Sequence, residues 1–291
     1  MFEQSTRVVA SSNGVRVVVY DEPAMSGSNP PILFSHATGF HGRVFAPVAE
    51  HLRDHYCITF DYRGYGDTAA PRDRALHWEA FGDDALAVAR DVHARHDGRP
   101  IVAAGHSMGG AGLVMAALRE PRLFAALVLF EPIIFPPESR ARAREANPLA
   151  DVTRRRRRTF SDFDAARANF AAKPPLNSLH PEALDAYVRH GFSQRDDGVH
   201  LKCDPEFEAQ TYEMGAMHET WQRLGEMKVP THVIAGAHAE MSPAAIAPRV
   251  AELLGNAKFV EWRDLGHFGP LEDPARFASF IRDVAGGVAN S

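Results

Sequence analysis

Hydrophobic and polar positions follow two rhythms along the chain. Val15–Tyr20, Pro31–Ser35, Tyr56–Phe60, Ile101–Ala104 and Ala126–Phe130 are short runs that are apolar almost throughout. Runs of this kind, without polar alternation, suit strands buried on both faces. Between them the apolar residues move to helical spacing. Phe45, Val48, Ala49 and Leu52 do so in 45–54, Leu86, Val88 and Ala89 in 81–96, and Leu113, Val114 and Leu118 in 107–119. Strand–helix alternation predicts an α/β protein whose mostly parallel, twisted sheet carries helices on both faces.

After Pro136-Pro137 the rhythm breaks. Residues 138–225 are charged and helical in pattern, without a clear strand, and contain five consecutive arginines, Arg154–Arg158. The sheet pattern resumes at His232–Ala235, followed by a helix over 244–254, a strand over 258–262 and a last helix from Asp273 to Ala285. The layout predicts a core of residues 1–136 and 226–291 with a helical cap, 137–225, inserted over the sheet's carboxyl edge. Loops that leave the strand ends there form the ligand site of open α/β sheets.

Gly105-His106-Ser107-Met108-Gly109 fits G-x-S-x-G, with Gly110 following. It lies directly between a predicted strand and a predicted helix, the context that gives the motif meaning. A sharp turn there projects the serine hydroxyl, and side chains at the flanking glycines would collide with neighbouring strand and helix. Free N–H groups at the opening helix aim the Met108 amide at a developing oxyanion. The plainer alternative is a serine that merely caps the helix. A serine nucleophile needs a base, and His267, in Gly266-His267-Phe268-Gly269 just after the final predicted strand, has the right place in chain order. Position singles it out from the chain's 15 histidines; His190, His200 and His218 fall in the predicted cap.

Together, Ser35–Phe40 (SHATGF), Asp61–Gly66 (DYRGYG), Gly105–Gly110 and Gly266-His267 make nearly the whole chain resemble the α/β-hydrolase superfamily. The resemblance implies an α/β-hydrolase fold and a second oxyanion N–H at Thr38. Ala37 stands where the family usually has glycine. It also implies a triad acid, and two candidates stay open. The family's usual aspartate position after the penultimate strand holds Ala239, with Glu240 beside it. Glu131, at the end of the strand after the nucleophile helix, is the favoured choice; some lipases and fungal acyl-CoA hydrolases of the superfamily are similar in this respect. Whichever carboxylate serves must reach the imidazole Nδ1 and fix its tautomer. Phe40, Phe135 and Phe268, with Met108, Phe192 and Trp221, are candidates for an apolar acyl pocket.

Composition narrows the classes further. A net charge of −5 gives no overall attraction to nucleic acid or anionic membranes. No apolar run approaches the ~20 residues needed to cross a bilayer, and no signal peptide is visible, so a cytoplasmic location is expected. Cys57 and Cys203 read as structural free thiols. Asp61 and Arg63 are expected to hold turns together. The arginine run reads as a solvated helix balanced by Asp151, Asp162 and Asp164, with an anion site as the alternative, and 202–208 has metal-capable atoms without ligand spacing. The expected activity is hydrolysis of an ester or thioester of a small apolar acyl substrate, with no cofactor and no metal. A carbon–carbon bond hydrolase or a perhydrolase would keep the same triad, and a non-catalytic small-ligand binding protein is the alternative from another class. Ser107 argues against the aspartate-nucleophile epoxide hydrolases and dehalogenases of this fold.

Overall fold

The computed structural model describes residues 5–22, 24, 29–70, 76–139, 147–238 and 242–289. In chain order the elements are β1 (Ser5–Ala10), β2 (Arg16–Glu22), β3 (Ile32–Ser35), α1 (Ala46–Glu50), β4 (Cys57–Phe60), α2 (Glu79–Arg95), β5 (Ile101–His106), α3 (Met108–Arg119) and β6 (Phe124–Phe130). The next segment carries α4 (Pro148–Arg154), β7 (Thr159–Phe160), α5 (Phe163–Ala171), α6 (Pro181–Gly191), β8 (Phe192–Arg195), β9 (Gly198–Leu201), α7 (Pro205–Glu213) and α8 (Thr220–Arg223). The chain ends with β10 (Thr231–Ala235), α9 (Pro243–Leu254), β11 (Ala257–Glu261), α10 (Gly269–Glu272) and α11 (Pro274–Ala289).

Eight strands form one sheet in the order β1-β2-β4-β3-β5-β6-β10-β11. The first two pairings are antiparallel and the others parallel. Its interior strands are buried on both faces, as their unbroken apolar runs require. Leu33, Ile58 and Ala103 belong to the apolar cluster on one face, and Ile32, Phe34, Val102 and Ala104 to that on the other. The period of two within each strand divides its side chains between the two layers. The edge strands differ: β1 and β11 are largely exposed, and β1 has no counterpart in the expected element order because its half-exposed residues make no apolar run.

Between β6 and β10 the chain is not purely helical. β7, β9 and β8 make a small antiparallel sheet, which corrects the expectation of an all-helical insertion. These strands have two to four residues, too few for alternation to register in sequence. The β8–β9 hairpin turns through Asp196-Asp197, closing at Gly198 with φ of +131°. Helices here begin at punctuated points. Asn147, Asp162 and Asp204 accept hydrogen bonds from the N–H groups of Ala150, Ala165 and Glu206, the usual device for free amides in a first turn. Leu224 and Met227 rejoin the core cluster, and Trp221 packs against it.

Candidate active site

The carboxyl ends of β3, β5, β6, β10 and β11 lead into the loops that build the site. Ser35 pairs with Gly105 and His106 with Phe130, so the turns after β3, β5 and β6 leave side by side. Ser107 sits between β5 and α3 with φ of +56° and ψ of −116°, an uncommon backbone conformation for a residue with a side chain. The surroundings hold it there. Its N–H donates to Phe130 O at 2.9 Å, and its carbonyl accepts from Ala111 N at 3.2 Å and Ile133 N at 3.1 Å. A Cβ at Gly105 would come within 2.8 Å of Gly110 Cα, and one at Gly109 within 2.1 Å of Ser35 O. Only glycine lets strand, turn and helix approach so closely. The Ser107 side chain makes no capping bond to α3, so the helix-capping alternative does not describe it.

Glu131, the first residue past β6, is fully buried and also has positive φ, +44°. Its N–H donates to Ile234 O at 2.9 Å, locking it to β10. One carboxylate oxygen accepts from Gly236 N at 2.8 Å and the other from His267 Nδ1 at 2.5 Å. Thus a single carboxylate ties the loop after β10 to the loop after β11. With Glu131 as the acceptor, the imidazole proton lies on Nδ1 and a lone pair is left on Nε2. Glu240 and Ala239 lie outside the described residues.

The His267 loop is fixed from three directions. Leu265 O accepts from Ala237 N at 2.7 Å, Gly266 N donates to Glu272 Oε2 at 2.7 Å, and His267 O accepts from His106 Nε2 at 2.8 Å. A carbonyl only accepts, so His106 carries its proton on Nε2. Burial, and the adjacent His267, keep His106 neutral by pushing its pKa well below the usual imidazole value. The two imidazoles lie 4.9 Å apart between centroids. His106 is next to Ser107 in the chain, so this bond brings the His267 loop to the Ser107 turn. Among the described residues the Ser107 hydroxyl makes no direct hydrogen bond to His267, in keeping with how often such contacts tighten only around a substrate.

Met108 follows the serine directly, and Thr38 lies in the turn after β3, whose last residue, Ser35, pairs with Gly105. Among the described residues neither backbone N–H has a protein acceptor. The loop carrying Thr38 is braced by His36, whose Nδ1–H donates to Ala37 O at 2.8 Å while Nε2 accepts from Tyr62 N at 3.0 Å. Only the neutral ring satisfies both partners, and burial lowers its pKa to about 4. Asp61 accepts from Gly42 N and Tyr20 Oη, each at 2.7 Å, and from Asp67 N at 2.8 Å; burial raises its pKa. Arg63 pairs with the buried Asp84, Nη2 to Oδ1 at 2.7 Å. Both residues hold turns, as their positions in sequence imply.

Phe40 and Phe268 face each other at 5.3 Å, and both lie against His106, at 6.4 and 6.0 Å. Phe135 is half-buried, without a ring partner among the described residues. Phe192 is instead buried between Phe160 and Phe170 within the inserted segment, Trp221 packs on the core, and Met108 is buried in it. A groove of about 820 Å³, lined in part by Asp67, Arg195, Lys202 and Glu206, lies elsewhere and touches none of the residues around Ser107.

The arginine run departs from its expected form. α4 ends at Arg154, and the run's balancing acids come mainly from 204–213 rather than from Asp162 and Asp164. Arg154 pairs with Glu206 and Glu213, Arg156 with Glu208, and Arg158 with Asp204. Asp162 is engaged in capping α5. The role of His106 is also absent from the sequence reading. Its only signal is adjacency to Ser107, and spacing says nothing of a bond to a carbonyl 161 residues away.

A family model described as alpha/beta hydrolase family matches residues 32–280. The abhydrolase domain-containing protein ACTT2-1 of Alternaria alternata is 25% identical over 221 residues, covering 64% of this chain and 82% of that one. A monoglyceride lipase of Rattus norvegicus is 30% identical over 118 residues, 39% of each chain. In structure the chain is similar to E-2-(acetamidomethylene)succinate hydrolase, with a TM-score of 0.80 at 22% identity, covering 97% of this chain and 99% of that one. No helix among the described residues is long and apolar enough to cross a membrane.

Proposed function

The chain belongs to the alpha/beta hydrolase family, and from that premise we propose that it is a serine hydrolase that cleaves an ester or thioester of a small apolar acyl substrate. Ser107 is the nucleophile, His267 the general base and Glu131 the orienting acid. The observation that carries this reading is the linkage of three strand-end loops, Glu131 to His267 Nδ1 and His106 to His267 O, beside the strained turn of Ser107.

In this scheme Ser107 Oγ attacks the carbonyl carbon while its proton passes to His267 Nε2. The imidazolium formed is stabilised by Glu131 at Nδ1. The Thr38 and Met108 N–H groups receive the tetrahedral oxyanion, since donors oriented before reaction need no reorganisation as the charge forms. Collapse expels the alcohol or thiol, which takes the proton from His267 and leaves an acyl-Ser107 ester. Water then repeats the sequence, losing its proton to His267, and the acid is released with Ser107 restored. No cofactor enters. Phe40, Phe135 and Phe268 form the apolar acyl wall, and residues 137–225 form the cap that closes over it. The monoglyceride lipase relative supports an ester as the scissile group.

Initial rates across a panel of p-nitrophenyl esters and acyl-CoAs test the reading. It expects turnover of short or medium acyl groups that Ser107→Ala removes. Ligand binding without turnover by the native protein would instead indicate a hydrolase-like binding protein, and turnover surviving in Ser107→Ala would overturn the assignment of the nucleophile.

A further inference from the structure

Three separate parts of the inserted segment converge on the loop that carries Thr38. Arg156 follows α4, Tyr187 lies on α6 and Glu208 on α7. Arg156 Nη1 donates to the Glu208 carboxylate and Nη2 to the Tyr187 hydroxyl. The Tyr187 ring packs on Phe40 at 5.2 Å, and its carbonyl accepts from His41 Nε2 at 3.2 Å. Gly39, between Thr38 and Phe40, has φ of +81°. A Cβ there would lie 2.7 Å from Glu208 Oε1 and 3.7 Å from Arg156 Nη1. The ion pair therefore rests directly on the backbone next to the proposed oxyanion donor.

The pair is largely buried: Glu208 is 2% exposed and the Arg156 side chain 18%. Burying two charges costs much of what their attraction returns, and well-packed apolar residues often stabilise a fold as well or better. Stability alone is thus a weak reason for a charge pair here. Its geometry offers a stronger one, since a carboxylate fixed by guanidinium and phenol makes a rigid surface for a glycine bend. Arg154, on the outer side of the same run, pairs with exposed acids and touches nothing of this loop.

We propose that Arg156, Glu208 and Tyr187 are positioning residues that hold the Thr38–Phe40 bend, and so aim the Thr38 N–H at the oxyanion. The proposal rests on the reading of Thr38 as an oxyanion donor. It makes catalysis depend on contacts supplied by the inserted segment.

The test is kcat per active site, with sites counted by the burst of p-nitrophenol released on acylation. Removing one oxyanion donor outright costs about 10²- to 10³-fold in kcat, so a misaimed donor should lose a part of that. Glu208→Gln is expected to lower per-site kcat by roughly 10-fold, with KM changed less than about twofold. Tyr187→Phe, which keeps the ring and removes one hydroxyl, should lose about threefold in the same way and decides the matter if Glu208→Gln does not fold. Arg154→Ala should leave both constants unchanged. Unchanged per-site kcat in the Glu208 and Tyr187 variants, with only fewer titratable sites or a lower Tm, would make the cluster purely structural and overturn the proposal. A rise in KM alone would overturn it too, by making the cluster a substrate contact. Full activity in Ser107→Ala would be a different failure, that of the underlying reading.

Discussion

The sheet's carboxyl edge and the inserted segment between β6 and β10 are held together by different means. At the edge, most of the bonds that set position have a main-chain group on at least one side. Ser107 is fixed by its own N–H and carbonyl, Glu131 by its N–H to Ile234, and the His267 loop by bonds to Leu265 O and His267 O. Parallel pairing fixes which turns are neighbours. In the inserted segment, position is set by side chains from distant parts of the sequence, chiefly Arg154 and Arg156 with Glu206, Glu208 and Glu213. Geometry carried largely by main-chain groups tolerates change in its surroundings. Geometry that depends on long charged side chains can be retuned by single substitutions. The contrast separates bonds that hold local geometry outright from contacts that adjust it by degrees.

Substitutions on either side should therefore behave differently, and the largest effect belongs to the edge. Ser107→Ala should reduce kcat by at least about 10³-fold with the fold intact, since loss of a triad nucleophile leaves only residual catalysis; steady-state rates with circular dichroism check this. Glu131→Gln should lower kcat by roughly 10²-fold or more. Glu131 also accepts from Gly236 N, so its Tm should fall as well. Glu240→Gln should change little, and exchanging these two outcomes would move the acid to the loop after β10.

Much of the edge is legible in sequence because its constraints are local. Gly105 and Gly109 flank the serine by necessity of packing, and a continuous apolar run marks each buried strand. Glu131 is less so: it is one of two carboxylates at strand ends, and only the three-dimensional bond to His267 Nδ1 distinguishes it. The roles of His106 and His36 leave no mark in sequence, because each acts through a carbonyl or an amide that any residue could supply. The inserted segment is the least legible part of the chain. Strands of two to four residues leave no periodicity, and the acids that balance the arginine run lie about fifty positions on in the chain, beyond any helical i,i+4 rule.

A smaller effect sharpens the comparison through pH. His36 is buried and neutral, with its pKa lowered to about 4 from an ordinary 6.5. The unfolded chain therefore takes up a proton at this residue below about pH 6.5 that the folded chain refuses until about pH 4. Stability from this group is present above pH 6.5 and is lost as pH falls through that window. His41, lowered likewise to about 4 by burial, acts in the same direction. Melting curves from pH 7 to 4.5 should show Tm falling, and His36→Asn should melt lower at pH 7 but with a shallower slope. An equal slope in the variant would remove His36 from the account. The smallest effect is expected at the periphery of the insertion, where Arg154→Ala should leave the unfolding midpoint nearly unchanged, as is usual for exposed ion pairs. A large drop in the midpoint by denaturant unfolding would mean that the segment's outer charges matter as much as its buried ones.

The most direct test of the central claim is the site of covalent capture. A fluorophosphonate forms a P–O bond to an activated serine and releases fluoride, so peptide mapping after brief exposure identifies the nucleophile. The account predicts one adduct on Ser107 at neutral pH, with labelling slowed strongly in His267→Asn and Glu131→Gln. An unlabelled native protein, or an adduct on another residue, would contradict it.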